Sequence, residues 1–164
     1  AVHDSSSVTY PVFTAIAAPE VQNKLNGDFA IIAGPYLQNL ATGGCELDYT
    51  LTFVSEKFIS MVFFGVLDEG EKEIFAKIPL NIDVQTGAQL ALGDVLNLRD
   101  ADLLPVLRLL TKKDKVDFSK GITESWYYNG TNFVFCQRSE TGEWLEATVA
   151  ASDLKKFLLK PELF

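Results

Sequence analysis

The stretch IFAKIPLNIDVQTGAQLALGDVL, running from Ile74 to Leu96, decides the fold. Ile74, Ala76, Ile78, Leu80 and Ile82 alternate with Phe75, Lys77, Pro79, Asn81 and Asp83, the period-2 pattern of a strand with one wholly apolar face. Asp83 to Gly87 then reads as a turn, because glycine takes positive φ without steric cost. Leu90, Leu92, Val95 and Leu96 return the chain to the core, and Asp94 is a candidate cap for a short helix. Pro79 has no amide hydrogen to donate, so this strand lies at a sheet edge or is bulged there.

Upstream, Leu47, Tyr49, Leu51 and Phe53 alternate with Asp48, Thr50 and Thr52, a half-buried strand. Phe58 to Val66 (FISMVFFGV) is apolar on both faces, which places it centrally in the sheet or beneath the helix. The charged segment Leu67 to Glu73 turns it into the Ile74 strand, so the simplest arrangement is an antiparallel meander. Further upstream, Val8 to Ile16 reads as a strand, with Pro11 marking an edge or a strand start. From Pro19, a residue suited to the first turn of a helix, the residues Val21, Leu25, Phe29, Ile32, Tyr36 and Leu40 form one apolar stripe. Pro35 interrupts it at a cost of roughly 3 kcal/mol in a helix interior, which predicts a kink or two helices sharing a buried face.

Downstream, Asp100 to Thr111 reads as a helix that tolerates Pro105 only in its first turn. Thr111 to Lys120 is a mixed-charge loop. Trp126 to Tyr128, Asn129-Gly130 and Thr131 to Gln137 make a hairpin, with Asn-Gly predicting a type I′ turn. Glu143 to Ala150 is a further strand, and Ser152 is expected to cap a last helix that Pro161 ends. The expected class is α+β, a mostly antiparallel sheet with about three helices packed on it. It is expected as a single domain over 8–164 behind a tail at 1–7, with an N-terminal subdomain over 8–41 as the alternative.

At 164 residues the chain is long enough to bury a core without metals or staples. Its 48% hydrophobic and 12% aromatic content excludes disorder. A net charge of −8 argues against nucleic acid or an anionic membrane as partner. No apolar run reaches the ~18–20 residues of a membrane span, and the start AVHDSSS lacks the apolar core of a signal peptide.

The search for chemistry mostly finds absences. His3 is the only histidine, so neither a Ser-His-Asp triad, a Cys-His pair nor a histidine-based zinc site can be assembled. There is no nucleophile elbow, phosphate-binding loop or dinucleotide fingerprint, and no metal or cofactor is expected. Asp68, Glu69, Glu71 and Glu73 cluster without the ligand spacing of a calcium loop and read as a solvated acidic hairpin. Trp126, Tyr127, Tyr128 and Trp144 are candidates for a sugar- or protein-binding surface, although strand alternation sends part of this set to the core. Asn129-Gly130-Thr131 matches a glycosylation sequon, which the hairpin already explains. Cys45 and Cys136 are the only cysteines. A bridge between them would close a loop of about 92 residues, on the order of 4–5 kcal/mol in the chain-entropy model; two separate buried thiols are the alternative.

Asp83-x-x-Thr86-Gly87-x-x-Leu90-x-Leu92-x-Asp94-x-Leu96 resembles a stretch of an extracytoplasmic bacterial domain of unassigned chemistry. That domain is shared by lysozyme-sensing anti-sigma factors and secreted peptidoglycan deacetylases. Tyr10-Pro11-Val12 with the helix at Glu20 to Asn26 is similar to its opening. Asn132 to Leu158, ending in Ser152, Leu154, Lys155, Phe157 and Leu158, is similar to its closing hairpin and helix. Two features depart from the family: Phe64 to Asp68 lacks the histidine that often follows the central strand, and Cys136 to Gly142 replaces a proline- and aromatic-rich loop.

The resemblance implies a non-catalytic domain that binds or senses outside the cytoplasm, with lysozyme or another cationic protein as partner. A chain of net −8 suits such a partner electrostatically. On this reading Trp126, Tyr127, Tyr128 and Trp144 supply the apolar centre of the site, and Asp68, Glu69, Glu71 and Glu73 its acidic rim. The alternatives are an accessory, glycan-binding module of a cell-wall-modifying enzyme and a purely structural surface protein. The domain by itself is not expected to be an enzyme.

Overall fold

The computed structural model describes residues 6–16, 18–40, 44–68 and 73–164. In chain order the elements are β1 (Ser7–Val8), α1 (Pro19–Asn39), β2 (Cys45–Val54), β3 (Phe58–Asp68), β4 (Glu73–Asp83) and β5 (Ala88–Gln89). They continue with α2 (Leu92–Val95), α3 (Leu103–Leu110), β6 (Trp126–Tyr128), β7 (Asn132–Arg138) and β8 (Trp144–Ala150). The first five strands make one sheet in the order β1-β2-β3-β4-β5 and the last three a second, β6-β7-β8.

The meander forms as its alternation requires. Tyr49 lies opposite Phe63 and Phe63 opposite Ile78, so alternate residues of β2 as far as Leu51, of β3 and of β4 share one face; a register shift between Leu51 and Phe53 then turns Phe53 to the core of the second sheet. On that face Leu47, Met61, Phe63, Leu80 and Ile82 pack against Val21, Leu25, Phe29, Ala33 and Tyr36 of α1. The segment 8–40 therefore shares its core with the sheet: Tyr10, Phe13 and Ile16 pack against the same cluster. Tyr36 lies so close to β3 that a Cβ at Gly65 would collide with its ring and hydroxyl. Pro79 sits where β4 has no outer partner, since β5 pairs only with Ile82 and Asp83; the missing amide hydrogen costs no sheet hydrogen bond there.

Four local expectations need correction. The strand expected over Val8 to Ile16 is reduced to Ser7–Val8, paired in parallel with β2. Beyond it the Asn26 side chain takes a partner strand's place, accepting from Phe13 N–H at 2.8 Å and donating to Phe13 O at 2.9 Å. Of the two outcomes expected at Pro35, separate helices do not occur, since α1 is one run of 21 residues through it. Pro35 and Ile31 both lie on its exposed side, where water can solvate the carbonyl that the proline leaves unpaired. Asn129 does not take positive φ; Gly130 does, at 91°. Asn129 N–H donates to Asn132 O, which makes Gly130-Thr131 the two-residue loop, with glycine first as in a type II′ turn. The helix expected from Ser152 is 3₁₀ over Ala151–Phe157, without a side-chain cap from Ser152, and Pro161 opens a further 3₁₀ turn over Pro161–Leu163.

The second sheet builds its own core. Trp126, Tyr128, Phe133, Phe135, Ala147 and Val149 pack with Leu92, Val95, Leu103, Leu107, Leu154 and Phe157. Phe58, at the start of β3, reaches into this core and stacks on Trp126 with ring centroids 6.4 Å apart. Where the sheets meet, β6 presents its free edge to the face of the first sheet. Two buried side chains there satisfy its backbone: Ser60 Oγ accepts from Tyr128 N–H at 2.8 Å, and Asn81 Nδ2 donates to Trp126 O at 2.7 Å. Ser60 Oγ also donates to Asn81 Oδ1 at 2.7 Å, so these two buried side chains and the β6 groups they meet are all paired.

Candidate functional site

The face of the first sheet turned away from α1 is covered over only part of its length. Register places its residues in cross-strand rows: Glu46, Val66 and Phe75; then Asp48, Phe64 and Lys77; then Thr50, Val62 and Pro79. The next row on β3 and β4 is Ser60 and Asn81, on which β6 docks. β6 stops short of the first two rows. They remain open as a groove of about 460 Å³, walled by Trp144 at the start of β8. That volume lies within the ~300–1,000 Å³ of ordinary ligand sites. Its floor exposes two large aromatic side chains, Phe64 at 44% and Phe75 at 50%. Glu46 and Asp48, both exposed, form its rim on the β2 side.

Lys77 closes the opposite side and is held there. Its ammonium pairs with the Glu146 carboxylate and lies 5.5 Å from the centroids of both the Phe64 and Tyr127 rings. Tyr127 O–H donates to Glu146 Oε1 at 2.9 Å. Burial, reinforced by that hydrogen bond, raises the Tyr127 pKa. Cys136 lies under the same carboxylate, 3.9 Å from its Oε1. Burial pushes its thiol up to about 12, against the pull of Lys77 and with Glu146 adding to the rise. At neutral pH it is therefore a protonated thiol and a poor nucleophile. Trp144 Nε1–H is buried without a partner among the described residues.

The aromatic set named from sequence divides. Trp126 and Tyr128 are 2% and 4% exposed and belong to the core of the second sheet, so neither offers a ligand a face. Strand alternation is the physical reason: Tyr127, between them, points the other way and reaches the groove's edge through Lys77. Trp144 does line the groove. Of the acidic hairpin, Glu69 and Glu71 fall outside the described residues, as does the side chain of Asp68; Glu73 is exposed at the start of β4. His3 also lies outside them.

Cys45 and Cys136 are not bridged. Cys45 belongs to the core under α1, where its thiol donates to Tyr36 O at 3.2 Å, whereas Cys136 lies in the second sheet. Among the described residues no cluster of three His, Cys, Asp or Glu could hold a metal, and no helix is long and apolar enough to cross a membrane.

Sequence reasoning passes over Phe64 and Phe75, yet a signal for one is present. Phe75 is the large apolar residue on the polar face of an alternating strand. Phe64 is hidden in a strand apolar on both faces, where nothing local distinguishes a covered residue from an open one.

No family model matches the chain, and no curated protein matches its sequence. Solved structures share its fold. It is similar to the crystal structure of a DUF3298 family protein from Pseudomonas aeruginosa PAO1, with TM-score 0.61 and 14% identity over 88% of this chain and 83% of that one. It is also similar to a member of the same family from Bacteroides fragilis NCTC 9343, with TM-score 0.54 and 14% identity over 85% of this chain and 66% of that one. At such identity the likeness carries the fold alone. It supports the resemblance at the level of a domain of unassigned function, without a link to lysozyme or to a deacetylase.

Proposed function

We propose that the chain is a non-catalytic binding domain of the bacterial cell envelope, acting outside the cytoplasm. On this reading it docks a cationic protein, lysozyme being the candidate, in the groove over Phe64 and Phe75. One observation carries the proposal: two half-exposed phenylalanines sit in adjacent cross-strand rows of β3 and β4, in a groove rimmed by exposed carboxylates, on a stretch of sheet that β6 stops short of covering. Fully burying a phenylalanine contributes about 1.5–3 kcal/mol, so covering the exposed half of each supplies roughly 1 kcal/mol per ring. That is the scale of an apolar anchor inside a polar rim. The net charge of −8 adds steering that is screened beyond ~8 Å at physiological salt.

The location outside the cytoplasm and the choice of lysozyme come from the family resemblance of the sequence motifs. The Trp144 wall favours a second reading, a module that stacks a cell-wall sugar ring for an attached enzyme. Calorimetric titration with lysozyme at low and at physiological salt, beside a basic protein of unrelated shape, separates these. The proposal expects binding that survives physiological salt and exceeds the control. Binding that vanishes with salt, or that matches the control, would refute it.

A further inference from the structure

We infer that the groove is a receptor for a guanidinium group: an arginine side chain of the partner laid across Phe64, with its charge on Asp48 and Glu46. The inference rests on the groove being the binding site and adds the chemical group that it takes.

Glu46 and Asp48 are two residues apart on β2, so both project onto the open face about 7 Å from each other. Directly across on β3, Val66 lies opposite Glu46 and Phe64 opposite Asp48. A cation there meets a carboxylate and an aromatic face together. Neither carboxylate has an ion pair among the described residues. Asp48 Oδ1 accepts from Tyr49 N–H at 2.8 Å, which leaves Oδ2 open. Lys77, the cation in the same cross-strand row, is already paired with Glu146 and so does not neutralise this rim; its ammonium lies 5.5 Å from the Phe64 centroid, so the arginine takes the part of the ring turned toward Asp48.

The pairing of a flat apolar surface with carboxylates favours arginine over lysine. A guanidinium is planar and weakly hydrated, so it stacks on a ring while donating in its own plane to a carboxylate. An ammonium keeps its hydration shell and gains less from the stack. Acidic peptides and phosphate headgroups are repelled by the same rim, and a neutral sugar leaves its charge unmatched.

The test is an amide NMR titration of the whole chain with acetyl-Leu-Arg-Leu-amide and with its lysine and citrulline counterparts. Citrulline keeps the shape of arginine and removes the charge. The arginine peptide is expected to shift resonances of Phe64, Asp48 and Trp144 and to bind at least threefold more tightly than the lysine peptide. Against citrulline the expected margin is tenfold, and the E46Q/D48N variant should lose at least tenfold for arginine. Both residues are exposed, and the amide oxygen that D48N introduces can still accept from Tyr49 N–H, so the fold is unaffected. Equal binding of arginine and citrulline, an affinity unchanged in E46Q/D48N, shifts confined elsewhere, or no binding of any peptide each overturns the inference. Lysozyme titrated in parallel separates it from the broader proposal. A groove that takes the arginine peptide but not lysozyme removes only the partner. Lysozyme binding that F64S/F75S abolishes and E46Q/D48N leaves intact keeps the groove and removes the guanidinium.

Discussion

Asn81→Ala strikes the seam on which the two sheets are joined. In the native protein Asn81 is 2% exposed, donates to Trp126 O at 2.7 Å and accepts from Ser60 Oγ at 2.7 Å. Removing its amide leaves the Trp126 carbonyl without that donor and the Ser60 hydroxyl without an acceptor, in a place water does not reach. A buried polar group left unpaired costs about 1–3 kcal/mol. With two groups affected and partial relaxation, we expect a loss of about 2–4 kcal/mol. For a domain of this size each kcal/mol moves Tm by about 2–4 °C, so the melt falls by about 5–15 °C. Urea unfolding of wild type, N81A, S60A and the double variant supplies the measurement. Ser60 and Asn81 share one network, so the double variant is predicted to lose less than the sum of the singles. Strict additivity, or an N81A loss below about 0.5 kcal/mol, would show that the polar seam is not what joins the sheets.

Gly65→Ala places a methyl group against the Tyr36 ring; overpacking of this kind costs about 1–3 kcal/mol, and chemical unfolding of the G65A/Y36A double variant should show a loss smaller than the sum of the two singles. The thiol of Cys136 is raised from 9.0 to about 12 by burial, so between those values the folded protein binds a proton that the unfolded chain has lost. The contribution of Cys136 to stability is therefore predicted to be lost as pH rises from about 9 toward 12, with C136A making the decline shallower; Tyr127, shifted in the same direction, adds to the fall. Alkylation of the denatured, unreduced protein is expected to label both cysteines, since Cys45 and Cys136 lie in different sheets. Finding neither labelled would contradict that placement.

Much of this fold is legible in the sequence because its strands are strongly periodic. The alternation from Ile74 to Asp83 reveals the strand, its buried face and the edge at Pro79. The doubly apolar Phe58 to Val66 calls for cover on both faces, and β3 is both central in its sheet and packed beneath α1. What escapes is set by tertiary partners. Val8 to Ile16 carries a strand-like pattern, but side chains of α1 take backbone groups there, Asn26 those of Phe13 and Gln22 the Ile16 amide. The proline in α1 does not split the helix, and it lies on the side that faces water. The site is legible only in part, since Trp126, Tyr127 and Tyr128 look alike in sequence. Which of them is core depends on where Phe58 and Phe164 arrive from distant parts of the chain. Phe64 becomes a surface residue because β6 is only three residues long and stops short of it.

The central claim is that the open rows at Phe64 and Phe75 are where a cationic protein docks. Calorimetric titration of lysozyme into wild type and into F64S/F75S at physiological salt tests it most directly, with thermal melts confirming that the variant is folded. Losing two half-buried rings, at roughly 1 kcal/mol each, predicts an affinity lowered by at least tenfold in the variant. Equal affinities for the two proteins would contradict the account.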